Sequence, residues 1–494
     1  MRELSAADKR DIQGFIFSGY GHLNVGTYLF LEITDAPRGR EFLGQLTPSI
    51  TTAEDWRKRP DGTKEKPPST LNVAISYDGM AALGLSDDAL ETFSREFIMG
   101  MAARAPVVGD AGPSAPAHWE IGGPDNPSLH VLVILYAIDE STRDDRVAWL
   151  RDLARRSDGG VVETGEQGGI RYTNREPFGF HDGVGQPGVE GIDGEPGANV
   201  VRLGEFVLGH TNQYQLLPPT VGVPVAEDPL NVLPPFPTLP GYKDLGRNGT
   251  YAVYRKLAQD VPAFWRFAEE NGAAPPGGSQ EERRHAVVQF ASRMVGRWPS
   301  GAPLVLSPDR DDHRFADTDA FLYTRADPHA FACPVGAHIR RSNPRDAILG
   351  DSVEDSLLTS NRHRIIRRSL IFGPPLVTEA TLAAGRAPLG LEDDGQERGI
   401  QFIAINTNIA NQFEFIQQTW TNNTKFNGLL NDRDPLIGDN TDPTWLTLPG
   451  RPVRRRVSGV PNFVTNRGGG YLFMPSITAM RFLASSRAAP VAAV

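Results

Sequence analysis

The stretch Val131-Leu-Val-Ile-Leu-Tyr-Ala-Ile138, followed by Asp139-Glu-Ser141, decides how the first half of the chain folds. Its run is continuous and apolar, as a central strand covered on both faces is. Ser141 is placed to cap a helix, with Val147, Leu150 and Leu153 at the spacing of one helical face. Toward the N-terminus, Tyr28-Leu-Phe-Leu-Glu-Ile33 has strand length, and Leu71, Val73, Ile75 and Tyr77 alternate as a half-buried strand does. Ser86 then caps a helix presenting Leu90, Phe93 and Phe97 on one face. Further short strands follow near Val161 and Ile170. Two strands, a helix, a strand and a helix form the element order of a ferredoxin-like α+β unit.

The second half has a similar mix. Thr250 to Tyr254 reads as a strand, and Asp260 with Pro262 opens a helix bearing Phe264, Trp265 and Phe267. Val287, Phe290, Met294 and Trp298 give a second helical stripe. Ile400, Phe402 and Ala404 mark a strand, Ile409, Phe413, Ile416 and Trp420 a helix, and Tyr471 to Met474 a last strand before a helix with Ile477, Met480 and Leu483. Between the halves, residues 221–241 hold a dense proline run that few packed elements are expected to cross. The division is therefore 1–220, a connector at 221–241, and 242–494.

Composition limits the rest. The 494 residues fit two to three domains or one fold duplicated, and 39% hydrophobic with 22% charged residues is globular rather than disordered. A net charge of −10 gives no reason to expect a nucleic-acid partner. The single cysteine, Cys333, excludes an internal disulfide framework and fits a reducing compartment. With no signal-peptide core at the start and no run of 18 apolar residues, the expectation is a soluble cytoplasmic protein without a membrane partner; leaderless export stays open. Residues 488–494, small and aperiodic, read as a frayed tail.

Four stretches carry residues that packing alone does not demand. Gly179-Phe-His-Asp-Gly183 surrounds one carboxylate with glycines that let backbone approach another group, although a plain Asp-Gly turn has the same letters. Cys333-Pro-Val-Gly-Ala-His338-Ile-Arg340-Arg sets a histidine among small residues, where a planar cofactor could reach its ring. Ile366-Arg-Arg-Ser-Leu-Ile-Phe-Gly373 puts two arginines in an apolar strand, which is costly unless one meets an anion. Alternation sends either Arg367 or Arg368 inward, and an edge strand with both solvated fits equally. Gly399-Ile-Gln-Phe-Ile suits a cofactor wall or ordinary core.

Together these fragments resemble the dye-decolorizing peroxidases, a family of haem enzymes. Asp11-Ile-Gln-Gly14, Gly399 to Trp420 and Gly468-Gly-Gly-Tyr-Leu-Phe-Met-Pro-Ser476 extend the likeness, in the family's order, over nearly the whole chain. The resemblance implies a duplicated ferredoxin-like fold, with antiparallel sheets flanked by helices and haem held mainly by the second half. It implies one haem b (iron protoporphyrin IX) per chain, with His338 as axial iron ligand, Arg340 near a propionate, and Ile400 and Phe402 on the distal wall. It makes Asp182 the distal acid–base and Arg367 the distal arginine, because the family's arginine stands five residues before the aromatic preceding Gly373.

The implied reaction takes hydrogen peroxide and an organic reductant, such as a bulky dye or phenolic, through a ferryl intermediate. An aspartate, with an unperturbed pKa near ~3.9, remains a base in acid, so an acidic optimum is expected. Many relatives pair the proximal imidazole with an acid; the nearest equivalent here is Asn462, and a neutral partner would raise the iron potential. Phe372 replaces a tyrosine that serves some relatives as a radical relay, leaving Trp420 and Tyr471 as candidates. Two rival readings are a haem carrier without turnover, against which the presence of both Asp182 and Arg367 counts, and a non-haem interaction scaffold. The sequence identifies no interface for a homo-oligomer, although related folds often associate.

Overall fold

The strand Val131–Ala137 is buried at every residue because one face lines the inside of a barrel and the other lies under helices. The computed structural model describes residues 4–58, 61–272, 276–382, 388–442 and 444–485, so the tail at 488–494 falls outside it. Eight strands close the barrel. The first half gives β1 (Val25–Ile33), β2 (Ser69–Ile75), β3 (Val131–Ala137) and β4 (Val161–Ile170). The second gives β5 (Thr250–Gln259), β6 (Ile366–Phe372), β7 (Gly399–Asn406) and β8 (Val464–Met474). Their order is β1-β3-β2-β8-β5-β7-β6-β4, and all neighbours are antiparallel. Within each half the fourth strand pairs with the first, the first with the third, and the third with the second. That is the ferredoxin-like arrangement, and it occurs twice. The halves join at two thin seams, Phe473 opposite Ile75 and Ile371 opposite Ile170.

Strand alternation divides the core. Tyr28, Phe30, Leu132, Ile134, Tyr136, Tyr254, Ile403 and Leu472 fill the barrel. Leu29, Leu31, Val133 and Leu135 face outward, beneath α1 (Ala36–Leu46) and α2 (Glu140–Arg156), which bring Phe42, Leu43, Val147, Leu150 and Leu153. A separate core forms around α3 (Val261–Asn271) and α4 (Gln280–Val295), whose Phe264, Trp265, Phe267, Val287, Phe290 and Met294 are buried together. Asp260 caps α3 by accepting the Ala263 N–H at 2.9 Å, with Pro262 in the first turn. Among the described residues no helix is long and apolar enough to cross a membrane.

Several local expectations are corrected. Asp139, two residues before Ser141, caps α2 by accepting the Thr142 N–H at 2.8 Å. The single helix expected after Ser86 is two: Ser86 caps Asp87–Leu90 and Ser94 caps Arg95–Ala103. Tyr77 begins a helix rather than ending β2. Val161 and Ile170 belong to one bulged strand. Gly296, with φ of 102°, ends α4 before Trp298, which is buried through an Nε1–H bond to the Ser307 carbonyl at 2.6 Å. The Ile409–Trp420 stripe winds as two π-helical runs, Ala410–Glu414 and Ile416–Thr421. The proline-rich connector is itself packed: Gly222–Pro224 pairs with Tyr242–Asp244, and Val221, Val223 and Leu233 enter the first-half core.

Candidate active site

Alternate residues on three adjacent strands point away from the barrel into one cavity: Arg255 and Leu257 on β5, Arg367 and Ser369 on β6, Ile400 and Phe402 on β7. The question of the two arginines is thereby answered. Arg367 faces the cavity, while Arg368, half-buried, turns to the opposite face of β6 and donates from Nε to the Phe15 carbonyl and from Nη2 to that of Ile16, each at 2.9 Å. Burial lowers the Arg368 guanidinium to about 10. The reading with both side chains solvated is excluded, because Arg368 finds its acceptors inside the molecule.

A hairpin from the first half brings Asp182 to the same cavity. Its strands are tied by Asp182 N–H to the Asn174 carbonyl at 2.9 Å and Glu176 N–H to the Phe180 carbonyl at 3.0 Å. The turn passes through Gly179 at φ of 100°, where a Cβ would stand 2.7 Å from Leu382 and 2.8 Å from Val377. Phe178 stacks on Phe264 at 4.4 Å and Phe180 on Trp265 at 6.2 Å, fixing the hairpin to α3. Beyond it, Gln186 brackets β6: Nε2–H donates to the Arg367 carbonyl at 3.1 Å and Oε1 accepts the Arg367 N–H at 3.0 Å. Asp182 Oδ1 accepts the Gly183 N–H at 2.7 Å and lies 4.0 Å from Arg367 Nη2.

His338 also lines this cavity, at the start of α5 (His338–Ser342). Its Nδ1 is 3.0 Å from Oδ2 of Asp434. Asp434 is fully buried, which alone would raise its pKa; the imidazole and the Leu436 and Ile437 N–H groups outweigh burial and hold it below the usual carboxylate range. A carboxylate there keeps the proton on Nδ1 and leaves Nε2 as the free donor atom. Asn462, expected as the partner, instead accepts the Asn440 N–H at 2.8 Å. The expectation of a neutral proximal partner is thus overturned.

Arg340 is corrected as well. Its Nη1 donates to the Cys333 carbonyl at 2.8 Å and to Asp327 at 3.3 Å, with the guanidinium 4.3 Å from the Tyr323 ring centroid, and it does not line the cavity. Three other arginines do: Arg297, Arg345 and Arg364. Arg297 and Arg345 share the carboxylate of Asp319. Among the described residues Arg364 has no carboxylate partner; its Nη2 only reaches the Gly185 carbonyl at 3.4 Å, and burial lowers it to about 9. Three guanidinium groups against one carboxylate leave an unmet demand for anionic charge. Cys333 lies buried outside the cavity, and burial pushes its thiol up to about 12. Trp420 and Tyr471 are buried too, Tyr471 donating to Glu414 at 2.9 Å.

The donor set suits haem. One imidazole nitrogen is free for iron, Ile400, Phe402 and Leu257 form an apolar wall, and the excess guanidinium charge matches two propionates. A closed α+β barrel with a histidine–carboxylate pair and an aspartate–arginine pair opening on one slot has the build of a haem peroxidase. The family profile described as "DyP dimeric alpha+beta barrel domain" matches residues 11–166. Dye-decolorizing peroxidase msp1 of Mycetinis scorodonius is 30% identical, over 96% of this chain and 87% of its own length. Multifunctional dye peroxidase DyP2 of Amycolatopsis is 28% identical over 92% of both. The crystal structure of a decolorizing peroxidase from Auricularia auricula-judae, solved as a complex with imidazole, superposes with a TM-score of 0.76 at 26% identity, covering 97% of this chain and 99% of that one. The chain belongs to the dye-decolorizing peroxidase family, oxidoreductases that depend on haem.

Proposed function

We propose that the chain reduces hydrogen peroxide and oxidises bulky organic donors, dyes or phenolics, with one haem b per chain. The observation that carries this reading is the meeting of Asp182 and Arg367, from opposite halves of the fold, 4.0 Å apart in the cavity that His338 also lines. His338 Nε2 is the iron ligand, with Asp434 holding the proton on Nδ1. Arg297, Arg345 and Arg364 hold the propionates in the role the sequence suggested for Arg340, and Ile400 and Phe402 wall the slot. Haem supplies the iron at which the O–O bond is cleaved.

The chain's own groups manage the proton and the charge. Asp182 takes a proton from one peroxide oxygen and returns it to the other, which leaves as water. Arg367 keeps a fixed positive charge where negative charge develops on that oxygen. A haem carrier would need neither. The test is peroxide-dependent decay of an anthraquinone dye by the haem-loaded protein. Asp182→Ala and Arg367→Leu should each slow it by about 100-fold or more while the Soret band persists. Full turnover in both variants would overturn the reading.

A further inference from the structure

Glu176 lies on the first arm of the distal hairpin and has none of the roles above. Its carboxylate accepts three N–H groups: Phe178 and Phe180 backbone at 2.9 Å each, and Gln259 Nε2 at 2.8 Å. The register of the hairpin places positions 176 and 182 on one face as diagonal neighbours, which in a ladder stand about 7–8 Å apart. Both residues border two spaces: the haem slot, and an adjoining cavity lined by Gly19, Gly21, Arg171 and Thr173. Charged groups bordering these spaces near Glu176 are Asp182 and Arg175 of its own hairpin, Arg171 before it, Arg367 and Arg368 of β6, and Arg255 of β5. Burial raises the Glu176 carboxyl to about 7 against the pull of its three donors, and Asp182 adds to the rise. A carboxyl that burial keeps protonated into the neutral range, at the edge of a reaction cavity, is placed to act as a proton donor there.

We propose that Glu176 supplies protons to the slot, drawing each from water in the adjoining cavity and passing it toward the oxygen from which Asp182 has taken a proton, the one that does not leave as water. The inference rests on the peroxidase reading. Converting one hydrogen peroxide to two waters consumes two electrons and two protons. The electrons come from the organic donor. The proton handled by Asp182 only moves from one oxygen to the other and adds none to the balance. The two that are consumed must enter separately, and Glu176 stands at the wall between the slot and the second cavity.

Stopped-flow measurement on the haem-loaded enzyme separates the two stages: the spectral change on adding peroxide, and the return to the resting spectrum on adding donor. In Glu176→Gln the return should slow at least about tenfold more than the first stage and lose its inflection near pH 7. Gln259→Leu removes a donor that favours the ionised carboxylate, so it should move that inflection to higher pH, which a merely structural role would not do. In the haem-free protein, infrared spectra should show protonated-carboxyl absorption that titrates near pH 7 and is weaker by one carboxyl in Glu176→Gln, the remainder belonging to the buried Glu205. Absorption unchanged by Glu176→Gln, or a return stage with unchanged rate and pH profile in that variant, overturns the inference alone. A wild-type protein that does not react with peroxide overturns the peroxidase reading and this inference with it.

Discussion

Asp434 has no solvent to share its charge with; the His338 ring and the N–H groups of Leu436 and Ile437 surround it. An anionic acceptor pushes electron density onto the imidazole and favours the more oxidised iron. Asp434→Asn keeps the shape and removes the charge. The reduction potential of the loaded enzyme should rise in a spectroelectrochemical titration, and the peroxide reaction should slow by about 10- to 100-fold. An unchanged potential would show that the carboxylate does not act through the ring. Why Asp434 was invisible in the sequence is plain: it stands 96 positions from His338, and no local pattern marks it. Asp182 and Arg367 were legible because glycines around an acid and a charge inside an apolar strand are locally anomalous. Arg340 misled for a geometric reason. On a five-residue helix, positions two apart face opposite sides, so Arg340 cannot share the direction of His338.

Among the elements, the distal hairpin depends most on one backbone conformation. Gly179 sits at φ of 100° with Leu382 and Val377 closing the space where a Cβ would project. Gly179→Ala combines strain with a clash, so the folded state should lose about 1–3 kcal/mol in equilibrium denaturation. Because Asp182 lies three residues on, the peroxide reaction should fall as well. A variant with wild-type stability and rate would mean that the turn relaxes freely and does not fix Asp182. Strands and helices with clean periodicity were legible because burial repeats every two or 3.6 residues. The cap at Asp139 was missed because three polar residues in a row offer equivalent letters. The π-helical winding of 410–421 was missed because its apolar spacing also fits an ordinary helix.

The molecule as a whole is one barrel made by two copies of a topology, and that closure could not be read from sequence. Pairings such as β8 with β5 join residues some two hundred positions apart, and the two seams rest on single residue pairs. Further ties between the halves must therefore matter, and the Glu205 backbone carbonyl supplies two, held in place by the side chain's own bond within the first half. The carbonyl accepts the Thr407 N–H at 3.1 Å and Gln412 Nε2–H at 2.9 Å, while the Glu205 carboxyl accepts the Gln213 N–H at 2.8 Å. Burial raises that carboxyl to about 7, against the Gln213 bond and the charge of Arg362. An unfolded chain releases the same proton near ~4.3. Between these values the folded state binds more protons than the unfolded one, so this group's contribution is fully present below pH ~4.3 and is lost as pH rises through about 7. Glu176 has the same sign, so the effect of Glu205 must be isolated by difference. Glu205→Gln keeps an acceptor for the Gln213 N–H but cannot ionise. Denaturation midpoints measured from pH 4 to pH 8 should show the variant gaining steadily on the wild type as pH rises. A difference that stays constant across that range would mean that Glu205 ionises in the folded barrel as it does in water.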